Sequence, residues 1–239
     1  IAIGDVTLLQ NEQKIKADRL EYVKDSKSRA VSYRAIGNVE IIDSIRTAIC
    51  GIASYDAKNE EIILNHKPRI TSEDRIIKGD QIKLNYTDEV LERIFIPKNA
   101  FITSASVGYN QLNIDSSNTL ISFENRMSSK VLNGFFVDGS LDSLRLIGMA
   151  STTYHLFEDS LYKGKNLTSG DTIIMRFDEK ALDDIVVNGG SRGEYVPNKK
   201  TNDSDFPLIY SAERIDYFLK TETTKLIGNA KARHENTDL

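Results

Sequence analysis

Four stretches of this chain repeat one short pattern, and the pattern limits what the chain can fold into. They are ADRLEY from Ala17 to Tyr22, GDQIKLNY from Gly79 to Tyr86, GDTIIMRF from Gly170 to Phe177, and AERIDY from Ala212 to Tyr217. Each has a small residue, an acid, and then apolar residues at every second position. In the clearest copy, Asp80, Ile82, Leu84 and Tyr86 fall on one face and Gln81, Lys83 and Asn85 on the other. A period of two marks a half-buried β-strand. One such strand cannot bury its apolar face alone. Recurrence along a chain therefore implies stacked units that share one core.

Read in order, the chain holds about six imperfect units, spaced roughly 25 to 45 residues apart, the scale of stacked supersecondary repeats. Each unit is a strand, a short charged turn, a mostly apolar strand and a break. The breaks are Gly37-Asn38-Val39, Lys67-Pro68-Arg69, Lys98-Asn99-Ala100, Gly148, Gly189-Gly190 and Gly228-Asn229-Ala230. Glycine and asparagine tolerate positive φ, so a bulge or tight bend belongs at these places. Turns are expected at Asn11-Glu12, Asp25 to Ser28, Lys58 to Glu60, Thr87 to Glu89 and Asp178 to Lys180, with a hairpin at Asp138-Gly139 and a polar loop at Val196 to Pro207. From Ser104 to Lys130 the pattern blurs. No convincing amphipathic helix occurs; ITSEDRIIKGD and DEKALDDIVV have some helical character, but their place in the repeat favours strand and turn.

Composition supports a packed all-β chain. Of 239 residues, 40% are hydrophobic, which argues against disorder. Net charge is −4, with 31 basic and 35 acidic residues well mixed, so no basic stripe points to nucleic acid. The apolar runs are too short for a membrane-spanning helix. The lone Cys50 reads as a small buried side chain on a strand. The chain opens at Ile1 without a basic-then-apolar leader, as expected of a mature or trimmed chain whose signal peptide has been removed.

Few residues suggest chemistry. His66, His155 and His234 sit in different units without ligand spacing, so no metal site is expected. No local motif suggests a Ser-His-Asp order. Gly189 to Gly193 lacks the ending of a phosphate loop and reads as a turn. The recurring acids Asp18, Asp80, Asp171 and Glu213 could form a cation- or sugar-binding ladder. The simpler reading places each at a strand start, bonded to nearby turn amides. Leu20, Tyr22, Ile82, Leu84, Tyr86, Ile173, Met175, Phe177, Ile215 and Tyr217 form an apolar stripe when the strands stack. That stripe is either simply the core or the wall of an apolar trough between splayed sheets. Both readings need the same residues.

The repeated pattern, followed by a turn and an apolar strand ending in Gly-Asn-Val/Ala, resembles the OstA-like (LptA) family of lipopolysaccharide-transport domains, also found as the N-terminal domain of LptD. The residues that carry the resemblance are ADRLEY with Gly37-Asn38-Val39, ASYD from Ala53 to Asp56, GDQIKLNY with Asn99-Ala100, GDTIIMRF with Gly189, and AERIDY with Gly228-Asn229-Ala230. The resemblance implies a β-jellyroll, or β-taco, of stacked antiparallel strands in a V-shaped trough. It implies a first half over residues 1–103, irregular connecting strands over 104–130, and a second half over 131–239, or one continuous domain. It further implies a non-enzymatic periplasmic carrier without cofactor, either free or joined to the outer membrane through a larger chain. Lipid A acyl chains of lipopolysaccharide would lie along the apolar stripe, with Val39, Ile41, Phe95 and Phe101 added to it. Other such domains would join head to tail through exposed strand edges. Two other classes remain open: a structural β-solenoid of adhesin type with a filled core and no lipid, and a carbohydrate-active β-helix enzyme with acids clustered on one face.

Overall fold

The computed structural model describes residues 1–10, 13–24, 31–72, 74–110, 120–179, 181–200, 206–235 and 237–238. Among them every regular element is a β-strand, and the strand pairs described below are antiparallel. The expected turns at Asn11-Glu12 and Asp25 to Ser28 lie outside the described residues, as do residues 201–205 of the polar loop and the last residue of the turn expected at Asp178 to Lys180. The chain divides into two compact units, one of residues 1–101 with 131–144 and one of 102–130 with 145–239. The boundary expected after residue 103 thus falls inside a strand, and residues 131–144 go with the first unit rather than the second.

In the first unit, β1 (Ala2–Gln10), β2 (Gln13–Lys24), β3 (Val31–Ile42) and β4 (Arg46–Asp56) pair in succession. The second half of β4 pairs with β5 (Glu61–Asn65), and its first half with β6 (Arg69–Ser72). In turn β6 pairs with β7 (Arg75–Lys78) and β5 with β8 (Gln81–Thr87). β8 pairs with β9 (Val90–Ile96), and β9 with β12 (Val131–Val137). Thus β5 with β6, and β7 with β8, each behave as one strand interrupted at a bend. The unit boundary runs through β10 (Ala100–Gly108) and β13 (Ser140–Glu158). In the second unit β11 (Ile121–Ser129) pairs with β13, β14 (Leu161–Asp178) with β15 (Ala181–Pro197), and β15 with β16 (Leu208–Phe218). The two halves of β16 pair with β17 (Thr223–Ile227) and β18 (Lys231–His234), and β18 with β19 (Thr237–Asp238).

The breaks read from the sequence are corners, and several lie inside continuous strands. Backbone φ is positive at Gly37 and Asn38, His66 and Lys67, Asn99, Gly148 and Met149, Gly189 and Gly190, and Gly228 and Asn229. Register slips at the corners within β2, β3, β14 and β15, as a β-bulge requires. Gly189-Gly190 is accordingly a bend within β15 and not a turn between strands. The recurring acids sit at the matching corner of the preceding strand, but they do not cap local turn amides. Asp18 accepts from Asn38 Nδ2 at 3.0 and 3.3 Å, Asp80 from Asn99 Nδ2 at 3.0 Å on both oxygens, and Glu213 from Asn229 Nδ2 at 2.6 Å. Asp171 packs directly against Gly189. Backbone bonds tie the same corners: Asp80 N–H to Lys98 O at 3.1 Å, Lys130 N–H to Gly148 O at 2.9 Å, and Glu213 N–H to Gly228 O at 2.8 Å. The acid ladder is therefore a structural seam, with each acid holding the bend of its neighbour.

Inward residues build the core. In the first unit they include Ile15, Ala17 and Leu20 on β2, Tyr33, Ala35, Val39 and Ile41 on β3, Ile62 and Leu64 on β5, Ile82 and Leu84 on β8, and Ile94 and Ile96 on β9. The outward face of β9 is held differently. Arg93 lies 5.0 Å over the Phe95 ring and 5.7 Å over the Phe135 ring, and it donates to Asn133 Oδ1.

Cys50 is buried on β4, as its place in the repeat implied. Burial pushes its thiol up to about 11 from an ordinary 9.0, outweighing two backbone hydrogen bonds that act the other way. At pH 8 the thiolate population falls about a hundredfold relative to a free thiol of ordinary pKa. A thiol-specific disulfide reagent is expected to label native Cys50 at least that much more slowly than the urea-unfolded chain. Equal labelling rates would contradict the burial.

Candidate functional site

The first unit contains an apolar cleft of about 180 Å³. Seven strands supply its wall: Ile41 from β3, Ala48 from β4, Ile62 and Leu64 from β5, Ile70 from β6, Ile77 from β7, Leu84 from β8, and Leu91 and Ile94 from β9. Phe136 of β12 adds an aromatic edge. The cleft follows from the strand period. Alternate residues point inward on every strand, and on these strands they are nearly all aliphatic. Its volume matches an engineered apolar cavity of about 150 Å³ that stays dry and admits an aromatic hydrocarbon.

A second, larger space of about 520 Å³ shares Gln13, Asp43, Arg46, Ile62 and Tyr86 with the cleft, and adds Tyr33, Ser44, Ile45, Tyr55, Glu60 and Glu89. This is the polar end. Asp43 shapes it by accepting from the backbone N–H of Ile45 at 2.9 Å and of Arg46 at 2.7 Å, and from Arg46 Nε at 3.1 Å. The Tyr33 and Tyr55 rings lie 5.5 Å apart. Burial raises the Tyr33 hydroxyl well above the usual tyrosine range, with smaller contributions from Tyr86, Tyr55 and Cys50. Burial also raises Tyr86, partly opposed by the Arg46 charge. Both tyrosines are thus hydrogen-bond donors at any physiological pH.

The residues expected to form an apolar stripe divide into groups. Ile41, Leu84 and Tyr86 line the cleft. Leu20, Val39 and Ile82 are buried in the core of the first unit. Tyr22 shares a face with Leu20 but sits near the end of β2 and is 61% exposed. Phe95 and Phe101 fall on the opposite face from their buried neighbours Ile94, Ile96, Ala100 and Ile102, and Phe101 lies under Lys78 Nζ at 5.9 Å. Their place one residue out of step with the inward set puts them outside. In the second unit Ile173, Met175 and Ile215 are fully buried and Phe177 is half-buried. The Tyr217 hydroxyl bonds Thr168 Oγ1 at 3.0 Å and the Tyr210 hydroxyl at 3.1 Å, and Tyr210 donates to Asn166 Oδ1 at 3.1 Å. Tyr217 is thereby committed to a buried polar network.

Most of the cleft wall lay outside the expected stripe. Ala48 sits in RTAICGIASYD, and Ile62, Leu64, Ile70 and Ile77 sit in EIILN, PRITS and RIIK, segments that lack the small-acid opening that flags the tagged strands. The alternation in EIILN, with Ile62 and Leu64 two apart, is the signal that could have found them.

Among the described residues no group of three or more His, Cys, Asp and Glu side chains is placed to hold a metal ion, and no helix is long and apolar enough to cross a membrane. No curated protein matches the sequence. LptH, the LptA-homologous periplasmic component of the lipopolysaccharide transport device of Pseudomonas aeruginosa, aligns with 69% of this chain and 92% of its own, at 11% identity and a TM-score of 0.41. Residues 1–90 match the model of the family described as LptA/(LptD N-terminal domain) LPS transport protein. That span takes in the strands from β1 to β8 and most of the cleft wall. Over residues 1–90 the chain is therefore similar to the LptA/(LptD N-terminal domain) LPS transport family.

Proposed function

We propose that this protein is a non-enzymatic carrier in lipopolysaccharide transport, working in the periplasm, and that the cleft of its first unit receives acyl chains of lipid A. The observation that carries the reading is the cleft itself: an aliphatic wall drawn from seven strands, within and just beyond the segment that matches a lipopolysaccharide-transport family. Each methylene moved from water into such a wall contributes about 0.8 kcal/mol. A structural solenoid with a filled core has no use for this space. Partners of the same fold are proposed to dock at the strand edges, where β1 carries the exposed side chains Ile3 and Leu9 and Ile1 just precedes it.

Filling the cleft tests the reading. Ala48 is half-buried on its wall. Ala48→Phe is expected to lower lipid A binding by about tenfold or more, since it removes room for about two methylenes, while strand content stays as in the unsubstituted chain. Native mass spectrometry of protein incubated with purified lipid A reads this directly. Unchanged binding would remove acyl chains from the cleft.

A further inference from the structure

The polar end of the cleft contains a group with no role so far. Tyr33 is only 5% exposed, yet among the described residues its hydroxyl has no hydrogen-bond partner. Proteins pair nearly all buried polar atoms, so an orphaned hydroxyl beside an open space marks a place where a polar group of a ligand can dock. Further groups in the same space can donate: the Tyr55, Tyr86 and Ser44 hydroxyls, the Gln13 amide and the Arg46 guanidinium. Tyr86 and Arg46 also line the apolar cleft, so a ligand whose tail enters the cleft brings its polar linkage to this place.

The charge of the opening selects the kind of linkage. Asp43, Glu60 and Glu89 face a single guanidinium, and Asp43 already holds it at 3.1 Å. A phosphate would meet a surplus of carboxylates and like-charge repulsion. A neutral carbonyl or hydroxyl oxygen escapes that repulsion and can accept from the donors. We propose that this opening is a subsite for the neutral linkage that joins an acyl chain to its headgroup, an ester or amide carbonyl or a chain hydroxyl, with Tyr33 donating to it. The proposal rests on the reading of the cleft as an acyl-chain site, and it seats the phosphates of an amphiphile elsewhere.

The test uses the full chain loaded with the fluorescent apolar probe N-phenyl-1-naphthylamine, displaced by glycerol monolaurate or by dodecyl phosphate of matching chain length. Monolaurate is expected to displace the probe at lower concentration than dodecyl phosphate. Tyr33→Phe is expected to weaken monolaurate about three- to tenfold, the loss of one hydrogen bond, and to leave dodecyl phosphate unchanged. The same substitution is expected to hold or raise the thermal midpoint, because it removes an unpaired buried group. Tyr22→Phe, at an exposed tyrosine, is expected to change neither. Equal displacement by both amphiphiles, an unchanged monolaurate affinity in Tyr33→Phe, or a marked fall in its thermal midpoint would overturn the subsite while leaving the acyl-chain site standing. Failure of both amphiphiles to displace the probe would remove the acyl-chain site, and the subsite with it.

Discussion

Ile82→Ala is expected to lower the unfolding free energy by about 2–5 kcal/mol, the range for deleting a fully buried aliphatic side chain. Ile82 is 0% exposed and lies away from the cleft, so the deletion leaves a closed void. Leu84, two residues on and 9% exposed, lines the cleft. Leu84→Ala widens a space that already exists, and its cost is expected at the lower end of that range, about 2 kcal/mol. The two variants should separate further in function. Leu84→Ala alters the surface offered to an acyl chain, whereas Ile82→Ala acts through stability alone. Urea unfolding followed by circular dichroism checks the first difference, and lipid A binding below the unfolding transition checks the second. Equal costs would mean that the cleft wall is packed as tightly as the core.

Gly189→Ala is expected to cost about 2–3 kcal/mol, combining left-handed backbone strain of about 1–2 kcal/mol with a steric clash. Gly189 has φ +78°, and a Cβ there would meet the Asp171 side chain, with Asp171 Cβ and Cγ at 2.8 Å. Gly139, at the tip of the hairpin joining β12 and β13, has nearly the same φ, +73°, and open space around it. Gly139→Ala should therefore show the backbone strain alone, about 1–2 kcal/mol. The difference between the two measures what the acid at the corner contributes to steric specification. Thermal or urea unfolding of both variants reads it, and identical losses would mean that Asp171 moves aside at no cost.

Much of this was legible in the sequence because a strand reports itself through its period. GDQIKLNY announced that Ile82 and Leu84 point inward, and the Gly-Asn pairs announced bends. Two things were hidden. The partner of each acid lies at the next corner, 16 to 20 residues away, and a local pattern carries no record of which strand lies beside which. Apolar character alone also overextends the stripe. Phe95 and Phe101 are as apolar as their neighbours, but only the register against Lys83 and the buried Ile94 and Ile96 puts Phe95 outside. The cleft wall escaped notice for a related reason. Its strands carry aliphatic residues without the acid that made the other strands conspicuous, and a space between side chains leaves no signature in composition.

The corners also fix how the chain counts. On β2 the inward set runs Ile15, Ala17 and then Leu20, passing from odd to even positions across the acid. On β16 it runs Tyr210, Ala212 and then Ile215, again changing parity. On β3 it runs Tyr33, Ala35, Val39 and Ile41, and on β15 it runs Val187 and then Ser191, and parity is kept across the glycines. Acid corners therefore shift the in-and-out phase of a strand, and glycine corners preserve it. A residue lost between Ala17 and Leu20 would turn one half of β2 inside out relative to the other. A residue gained at the Asp138-Gly139 tip would lengthen a hairpin and disturb no phase. Length is thus free to drift at the hairpin tips and locked at the corners.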